Sequence, residues 1–171
     1  MKTIFPALLF FCAFFSLNAQ ISTTRMNDLK LGMSLTEVES ALGKPLELTK
    51  GENDWGYVTT VTNKGADFFV RFTENQNESG MTYYSLYEVE TTSSNVKTLS
   101  KIGIGSSLDD LWKAYKNYSI SVWKGWDEKT EKYSTTERVF QLQDNDASTV
   151  LYFYLRNDKV YKISLNYFEG C

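Results

Sequence analysis

The sequence predicts an α+β protein of two tandem repeats, each a short helical segment packed on a three- or four-stranded antiparallel sheet. The first observation is an internal repeat, because segment 32–42 recurs as 105–115, 73 residues later, with Gly, Ser, Leu, an acid, an aliphatic residue and Ala in equivalent positions. The second is a set of β-rich segments that follow each copy in the same order. A repeat of this length indicates one supersecondary unit used twice. We therefore divide the chain into residues 1–19, 20–97 and 98–171.

Residues 1–19 have the layout of a secretory signal peptide. A positive charge at Lys2 precedes an apolar run from Ile4 to Phe15, and Ala19 supplies the small residue before a signal-peptidase cut. The run is short for a membrane span, although an uncleaved membrane anchor is the alternative interpretation. We expect an exported protein, periplasmic or secreted, with a mature chain from Gln20 to Cys171 and no integral membrane span.

Composition excludes several functional classes. The chain has no histidine, so it has no Ser/His or Cys/His nucleophile pair and no imidazole metal ligand. Its net charge is −3 with acids and bases interspersed, and this pattern does not favour nucleic acid or anionic lipid as a partner. Signal cleavage would leave Cys171 as the only thiol, able to pair only with another molecule. We expect no cofactor, no metal and no nucleic-acid partner.

Each repeat opens with a pattern typical of a capped helix. Ser34 followed by Glu37, and Ser107 followed by Asp110, match the reciprocal cap in which the Ser oxygen accepts from a first-turn N–H. Gly43 favours the end of the first helix. Apolar residues at i, i+3 and i+7 predict one buried stripe on each helix. These residues are Leu35, Val38 and Leu42 in the first helix, and Leu108, Leu111 and Tyr115 in the second.

Two strand segments recur as well, at different offsets. The matched segments are 68–71 with 153–156, and 86–89 with 160–163. The change from an offset of 85 residues to one of 74 places insertions between the strands. We predict a long hairpin loop at 124–136 in the second copy and a loop at 74–80 in the first. Asn157-Asp158 predicts a tight two-residue turn.

Period-two alternation along the strands predicts two different faces. The apolar face should pack on the helices and contains Phe68, Val70, Phe72, Leu151, Phe153 and Leu155. The reverse face contains Asp67, Phe69 and Arg71 in the first copy, and Tyr152, Tyr154 and Arg156 in the second. A sheet covered on one side normally turns a polar face to water, whereas aromatics with arginine are typical of interface cores. Two such sheets could also join edge to edge, which would remove two exposed edges.

The candidate binding residues lie on this reverse face. They are Phe69, Arg71, Tyr152, Tyr154 and Arg156, with Trp126 at the rim. Trp126 and Trp123 flank Lys124-Gly125, and Trp55 has a comparable place in the first copy. Such rings can anchor a protein partner or stack on sugars. Packing against the sheet ends or the helices is the alternative for all three tryptophans.

Paired carboxylates are the remaining candidates for catalysis. Asp109-Asp110 lies in a helix first turn, where acids are favoured by the helix dipole, and Asp127-Glu128 lies in a charge-rich loop. Asp144-Asn145-Asp146 resembles the opening of a calcium loop but lacks the later glycine and bidentate Glu, so we predict a turn. We expect no catalytic residue and a non-enzymatic protein.

Segment 32–45 resembles the signature of the SmpA/OmlA family of small outer-membrane assembly proteins. The resemblance is carried by Gly32-Met33-Ser34, which opens the helix, and by Leu42-Gly43-Lys44-Pro45, which ends it. The tandem arrangement is similar to that of the β-lactamase inhibitory protein family, in which two such units share a curved sheet. The assembly proteins have one unit and a lipid anchor, and the inhibitors use disulfides that this mature chain would lack. The resemblance implies a fold and a non-enzymatic binding role outside the cytoplasm.

The expected function is that of an exported, non-enzymatic module that binds a protein through a concave antiparallel sheet. We expect the partner to belong to the cell envelope or the extracellular space. Two alternatives stay open. One is an accessory or scaffold protein of envelope assembly, and the other is a glycan or small-ligand binder that uses exposed Trp55, Trp123 and Trp126.

Overall fold

The computed structural model describes residues 19–52, 55–128 and 130–168. The predicted signal peptide lies outside this part of the chain except for Ala19, and Cys171 lies outside it as well. In chain order the elements are β1 (Ala19–Ile21), β2 (Arg25–Met26), β3 (Leu29–Lys30), α1 (Leu35–Leu42), β4 (Thr49–Lys50), β5 (Tyr57–Asn63), β6 (Ala66–Gln76), β7 (Thr82–Thr91), β8 (Val96–Thr98), α2 (Leu108–Tyr115), β9 (Ile120–Asp127), β10 (Lys132–Asp144), β11 (Thr149–Arg156) and β12 (Lys159–Tyr167).

The strands form one large and one small sheet. Eight strands make an antiparallel sheet in the order β4-β5-β6-β7-β12-β11-β10-β9, and four short strands make a second sheet in the order β3-β2-β1-β8. At the centre of the large sheet β7 pairs with β12, with Val89 opposite Leu165 and Thr91 opposite Ile163. Strands from the two halves of the chain therefore join edge to edge. Among the described strands this leaves β4 and β9 at the outer edges of the large sheet.

The predicted α+β class with two helix-on-sheet repeats is wrong. The structure is mostly β, with 54% strand and 12% helix, and its main feature is one sheet of eight strands. Each helix has only eight residues. Segments predicted as loops instead lengthen the strands, since β6 continues to Gln76, β9 continues to Asp127 and β10 begins at Lys132. The class prediction gave too much weight to two short helices and too little to the strands, which contain most of the residues.

The local signals for the helix starts and the tight turn are confirmed. The N–H of Ser34 donates to the Glu37 carboxylate at 2.7 Å, and the N–H of Glu37 donates back to the Ser34 hydroxyl. Ser107 and Asp110 repeat this reciprocal pair at α2. Asn157-Asp158 alone connects β11 to β12, with φ values of 51° and 58°. Two positive φ angles in succession are what a type I′ hairpin turn requires.

One face of the large sheet forms the core with the helices and the small sheet. All six residues predicted for this face are buried: Phe68, Val70, Phe72, Leu151, Phe153 and Leu155. The helix stripes bury Val38, Leu111 and Tyr115. The Tyr115 ring stacks on Phe153 at a centroid distance of 5.9 Å, and its hydroxyl donates to Thr98 at 2.8 Å. The opposite face, which we call the open face, carries half-buried and exposed side chains.

Replacing Ser107 by Ala should lower the free energy of unfolding by about 1 kcal/mol. The N–H of Asp110 would lose its acceptor, and the Asp110 carboxylate would lose a hydroxyl donor at 2.6 Å. Ser34→Ala should cost a similar amount at the equivalent cap of α1. Urea unfolding of both variants checks this, with the exposed Ser94→Ala as control. An unchanged stability at either helix would contradict the reciprocal cap.

Candidate functional site

The structure places five of the six predicted binding residues on the open face. Phe69 and Arg71 lie on β6, and Tyr152, Tyr154 and Arg156 lie on β11. Along both strands these residues alternate with buried core residues, so their side chains leave the sheet on the side away from the helices. Strands β7 and β12 separate β6 from β11. The five residues therefore form two groups, which are connected only through side chains of the intervening strands.

Arg71 is the centre of the first group. Its Nε donates to Glu88 Oε2 at 2.9 Å, and its Nη1 donates to the Trp55 carbonyl at 2.8 Å. The guanidinium carbon lies 4.5 Å from the centroid of the Trp55 ring and 5.6 Å from that of Phe69. The side chains of Arg71 and Glu88 are only 15% and 12% exposed. Because both charges are largely withdrawn from water and bonded in place, Arg71 is a fixed part of the face.

Glu90 and Lys162 connect the two groups. Glu90 lies opposite Phe69 in the β6–β7 register. Lys162 Nζ donates to Glu90 Oε1 at 2.7 Å and lies 4.3 Å from the centroid of the Tyr154 ring. Ring and charge contacts of this kind are favourable when the cation is partly desolvated. The pairing of Phe69 with Glu90 and the contacts of Lys162 therefore link β6 to Tyr154 on β11.

The second group is a row of aromatic rings. Tyr152 contacts Tyr154 and the edge of Trp123, both at centroid distances of 6.2 Å. Tyr154 contacts Tyr161 at 6.5 Å, and the Arg156 guanidinium lies 4.7 Å from the Tyr161 ring. We call the connected side chains of both groups the aromatic band. The aromatic band comprises Trp55, Phe69, Arg71, Glu88, Glu90, Lys162, Tyr152, Tyr154, Arg156, Tyr161 and Trp123.

Trp126 lies apart from the aromatic band. Its ring contacts Tyr133 at a centroid distance of 5.2 Å, near the far end of the β9–β10 hairpin. Alternation along β9 puts Trp126 on the side opposite Trp123. The structure therefore brings Trp123, rather than Trp126, together with the other five predicted residues.

A cavity of about 540 Å³ opens beside the first group. Its lining includes Trp55, Phe69, Arg71, Glu88 and Glu90. Apolar and aromatic side chains beside groups able to donate or accept hydrogen bonds are the features that small-ligand sites combine. The open face thus offers both a broad aromatic surface and a local concavity.

Four members of the aromatic band were missed in the sequence. Glu88 and Glu90 flank the buried Val89, and Lys162 precedes the buried Ile163. The alternation that identified Phe69 would have placed these three residues on the same face. Tyr161 had no such signal, because a register shift in the β11–β12 pairing decides where it lies.

Burial raises the pKa of Tyr154 above its ordinary value, and the nearby Glu90 and Glu88 act in the same direction. The unfolded chain loses this phenol proton near pH 10, whereas the folded chain keeps it to higher pH. The contribution of Tyr154 to stability is therefore complete below about pH 10 and is lost as the pH rises further.

Tyr154→Phe should reduce the loss of stability that occurs above about pH 10, because the variant has no proton to release at this position. Urea unfolding at several pH values from about 8 to 11 measures this difference. The stability of each protein at about pH 8, where the phenol is protonated in the folded and the unfolded chain, is its own reference. Parallel curves for wild type and Tyr154→Phe would contradict the raised pKa.

Two of the carboxylates weighed for catalysis and calcium, Asp110 and Asp144, have structural partners. The Ser107 hydroxyl and N–H hold the pKa of Asp110 below its usual value. Hydrogen bonds from the Thr23 hydroxyl, at 2.7 Å, and from the Ala147 N–H lower the pKa of Asp144. General acid catalysis favours raised carboxyl pKa values instead. In the ranges that the structure describes, no three Asp, Glu or Cys side chains are grouped closely enough to hold a metal ion.

Comparison with protein-family models, curated proteins and solved structures finds no match. The resemblance to the SmpA/OmlA family therefore stays a prediction. None of the helices in the described part of the chain has the length and apolar character needed to cross a membrane. The functional argument depends on the open face itself.

Proposed function

We propose that this protein is an exported, non-enzymatic binding module whose open face contacts a protein of the cell envelope or the extracellular space. The observation that carries the proposal is the aromatic band, which crosses the large sheet from Trp55 to Trp123. Tyr, Trp and Arg are the residues that most often dominate binding energy in protein interfaces. Their concentration on the uncovered side of a sheet favours a protein partner, because folding alone does not require them there.

The side chains of the band are held before any partner arrives. Arg71 is bonded to Glu88 and Lys162 to Glu90, and the rings of the second group contact one another. Binding to a preformed surface costs little side-chain entropy. The cations are also neutralised by carboxylates on the same face, which favours a protein surface over a polyanion such as nucleic acid.

A pull-down from envelope and secreted fractions of the source, read by mass spectrometry, tests the proposal. The bait is the purified protein, compared with a Tyr154→Ala/Arg156→Ala double variant. Truncating central aromatic and arginine anchors typically costs about 2 kcal/mol or more, which is roughly a 30-fold loss of affinity. We expect the double variant to lose the partner.

The matched control is Tyr118→Ala/Arg25→Ala, which removes the same residue types from exposed positions away from the open face. It should capture the partner as wild type does. Equal capture by all three proteins would contradict a role for the open face. A variant that unfolds, as judged by circular dichroism, would show that Tyr154 and Arg156 serve the fold instead.

A glycan or small ligand is the second candidate, and the cavity of about 540 Å³ beside Trp55 favours it. An aromatic ring next to hydrogen-bonding groups suits the apolar face and the hydroxyls of a sugar. If the folded bait captures no protein, a glycan or small ligand becomes the favoured partner. Quenching of tryptophan fluorescence by oligosaccharides, absent in Trp55→Ala, would then support this function.

A further inference from the structure

Strand β9 is the longer of the two outer strands in the described part of the large sheet. It has eight residues and pairs on one side with β10, whereas β4 at the other edge has two residues. The backbone N–H and C=O groups on the free side of a long edge can pair with a further strand. An edge of this length therefore either carries features that prevent pairing or pairs with a further strand.

The sequence of β9 shows little protection against pairing. Val122, Trp123 and Trp126 are 41%, 42% and 54% exposed. The strand contains no proline, and its two charged residues are Lys124 and Asp127. Its pairing with β10 is irregular only opposite Gly125, so residues 120–124 pair in regular register. Natural edge strands are usually kept apart by proline, by several charges or by short length. An eight-residue edge with three exposed apolar side chains fits a strand that is paired in the working protein.

We propose that β9 pairs antiparallel with β9 of a second copy of this chain, about a two-fold axis through Trp123. A two-fold axis perpendicular to the sheet keeps every side chain on its own face. Two residues that lie opposite each other in an antiparallel pair point to the same face of the sheet, whereas neighbours along one strand point to opposite faces. A residue can therefore lie opposite its own copy but not opposite the copy of its neighbour, so the axis passes through a residue position. The choice is therefore among a few discrete registers.

The register centred on Trp123 pairs the most residues without opposing like charges. Each residue of one copy then faces a residue of the second: Trp123 faces Trp123, Val122 faces Lys124, Ser121 faces Gly125 and Ile120 faces Trp126. Centring on Lys124 would instead set two ammonium groups opposite each other, which is unfavourable. Centring on Gly125 would set Val122 against Glu128 and leave Ile120 unpaired.

This inference is independent of the proposed function, because the edge can pair whether or not the open face binds a partner. It has a consequence for that face, however. Trp123 belongs to the aromatic band and would meet its own copy at the axis. Dimerisation would therefore continue the band from one molecule into the next.

Sedimentation velocity of the purified protein over a concentration series tests the proposal, with two opposite substitutions at Val122. In this register residue 122 faces Lys124 of the second copy twice in each dimer. Val122→Lys should raise the dimer dissociation constant about tenfold, and Val122→Glu should lower it about tenfold. Trp112→Lys, at an exposed aromatic residue on α2 and away from the edge, should leave it unchanged.

A protein that stays monomeric at every concentration would overturn the proposal, and so would a dimer that responds equally to Lys and Glu at residue 122. Thermal melting shows whether each variant is folded. A second measurement uses Trp123→Cys in a chain from which the native cysteines have been removed by substitution with serine. The new thiols would face each other across the axis, within reach of a disulfide. Failure of this folded variant to cross-link would exclude the register, whereas a cross-linked dimer would support it.

Discussion

Replacing Phe153 by Ala should lower the free energy of unfolding by about 3–5 kcal/mol. Phe153 is fully buried, and its ring contacts Tyr115 at 5.9 Å and Phe140 at 6.1 Å. The substitution loses the free energy gained by transferring the ring from water into the core. It also leaves a cavity, because the surrounding strands and helices relax only partly to fill the space. Because domains of this size are stable by about 5–15 kcal/mol, the variant should be close to unfolding at room temperature. Urea unfolding followed by circular dichroism measures the loss.

Tyr152→Ala is the matched control, because Tyr152 precedes Phe153 in β11 and lies on the open face, half-buried. It should cost less than half as much, since its half-buried ring packs against the rings of neighbouring open-face residues instead of in the core. Equal losses for the two variants would mean that the open face is covered in solution, and the proposed binding surface would not exist.

Arg71→Ala should cost about 2–4 kcal/mol. Glu88 would be left without its cation at a position where its side chain is 12% exposed, and the Trp55 carbonyl would lose a donor. The contact between the guanidinium and the Trp55 ring would also disappear. Urea unfolding measures this change. The cost should shrink when Arg71→Ala is made in a Glu88→Gln background, because no buried charge is then left unpaired.

The comparison for Arg71 is Arg138, which pairs with Asp158 at 3.0 Å where the side chains are 36% and 63% exposed. Arg138→Ala should cost less than about 1 kcal/mol, as is usual for solvated ion pairs. If Arg71→Ala were equally mild, the charges of the aromatic band would have to be accessible to water. The band could then not be regarded as preformed.

Features decided by residues a few positions apart could be predicted from the sequence. The cap at Ser107, the left-handed end of α1 at Gly43 and the turn at Asn157-Asp158 each depend on local hydrogen bonds and backbone angles. Alternation likewise placed Phe153 and Tyr154 on opposite faces, because successive side chains of a strand must diverge.

Strand length and the fold class could not be predicted in this way. Segment 132–136 is polar and rich in Thr, and it was assigned to a loop although Thr favours strands. In the structure it belongs to β10, where Lys132 pairs with Asp127 and Tyr133 pairs with Trp126 of β9. Strand β11 pairs with β10 only from Glu137 onward. Pairing with β9 therefore begins within a segment whose composition indicated a loop. The two eight-residue helices are only a small part of the fold.

The candidate site was predictable as a set of side chains on one face, but not as a connected surface. Phe69 and Tyr154 were placed on the same face by alternation, whereas the strands between them follow from the topology. The bond from Lys162 to Glu90, which connects the two groups, joins residues 72 positions apart. A pattern read along one strand contains no information about such a contact.

The pairing of β7 with β12 has a consequence for how the chain folds. Within the large sheet, every other pair of neighbouring strands is consecutive in sequence, so four-stranded meanders can form through local contacts in each half. The β7–β12 pairing instead closes a loop of roughly seventy residues, as between Thr91 and Ile163. Closing a long loop costs entropy before any contact compensates for it, which slows folding. The two meanders should therefore form early, and their junction should limit the folding rate.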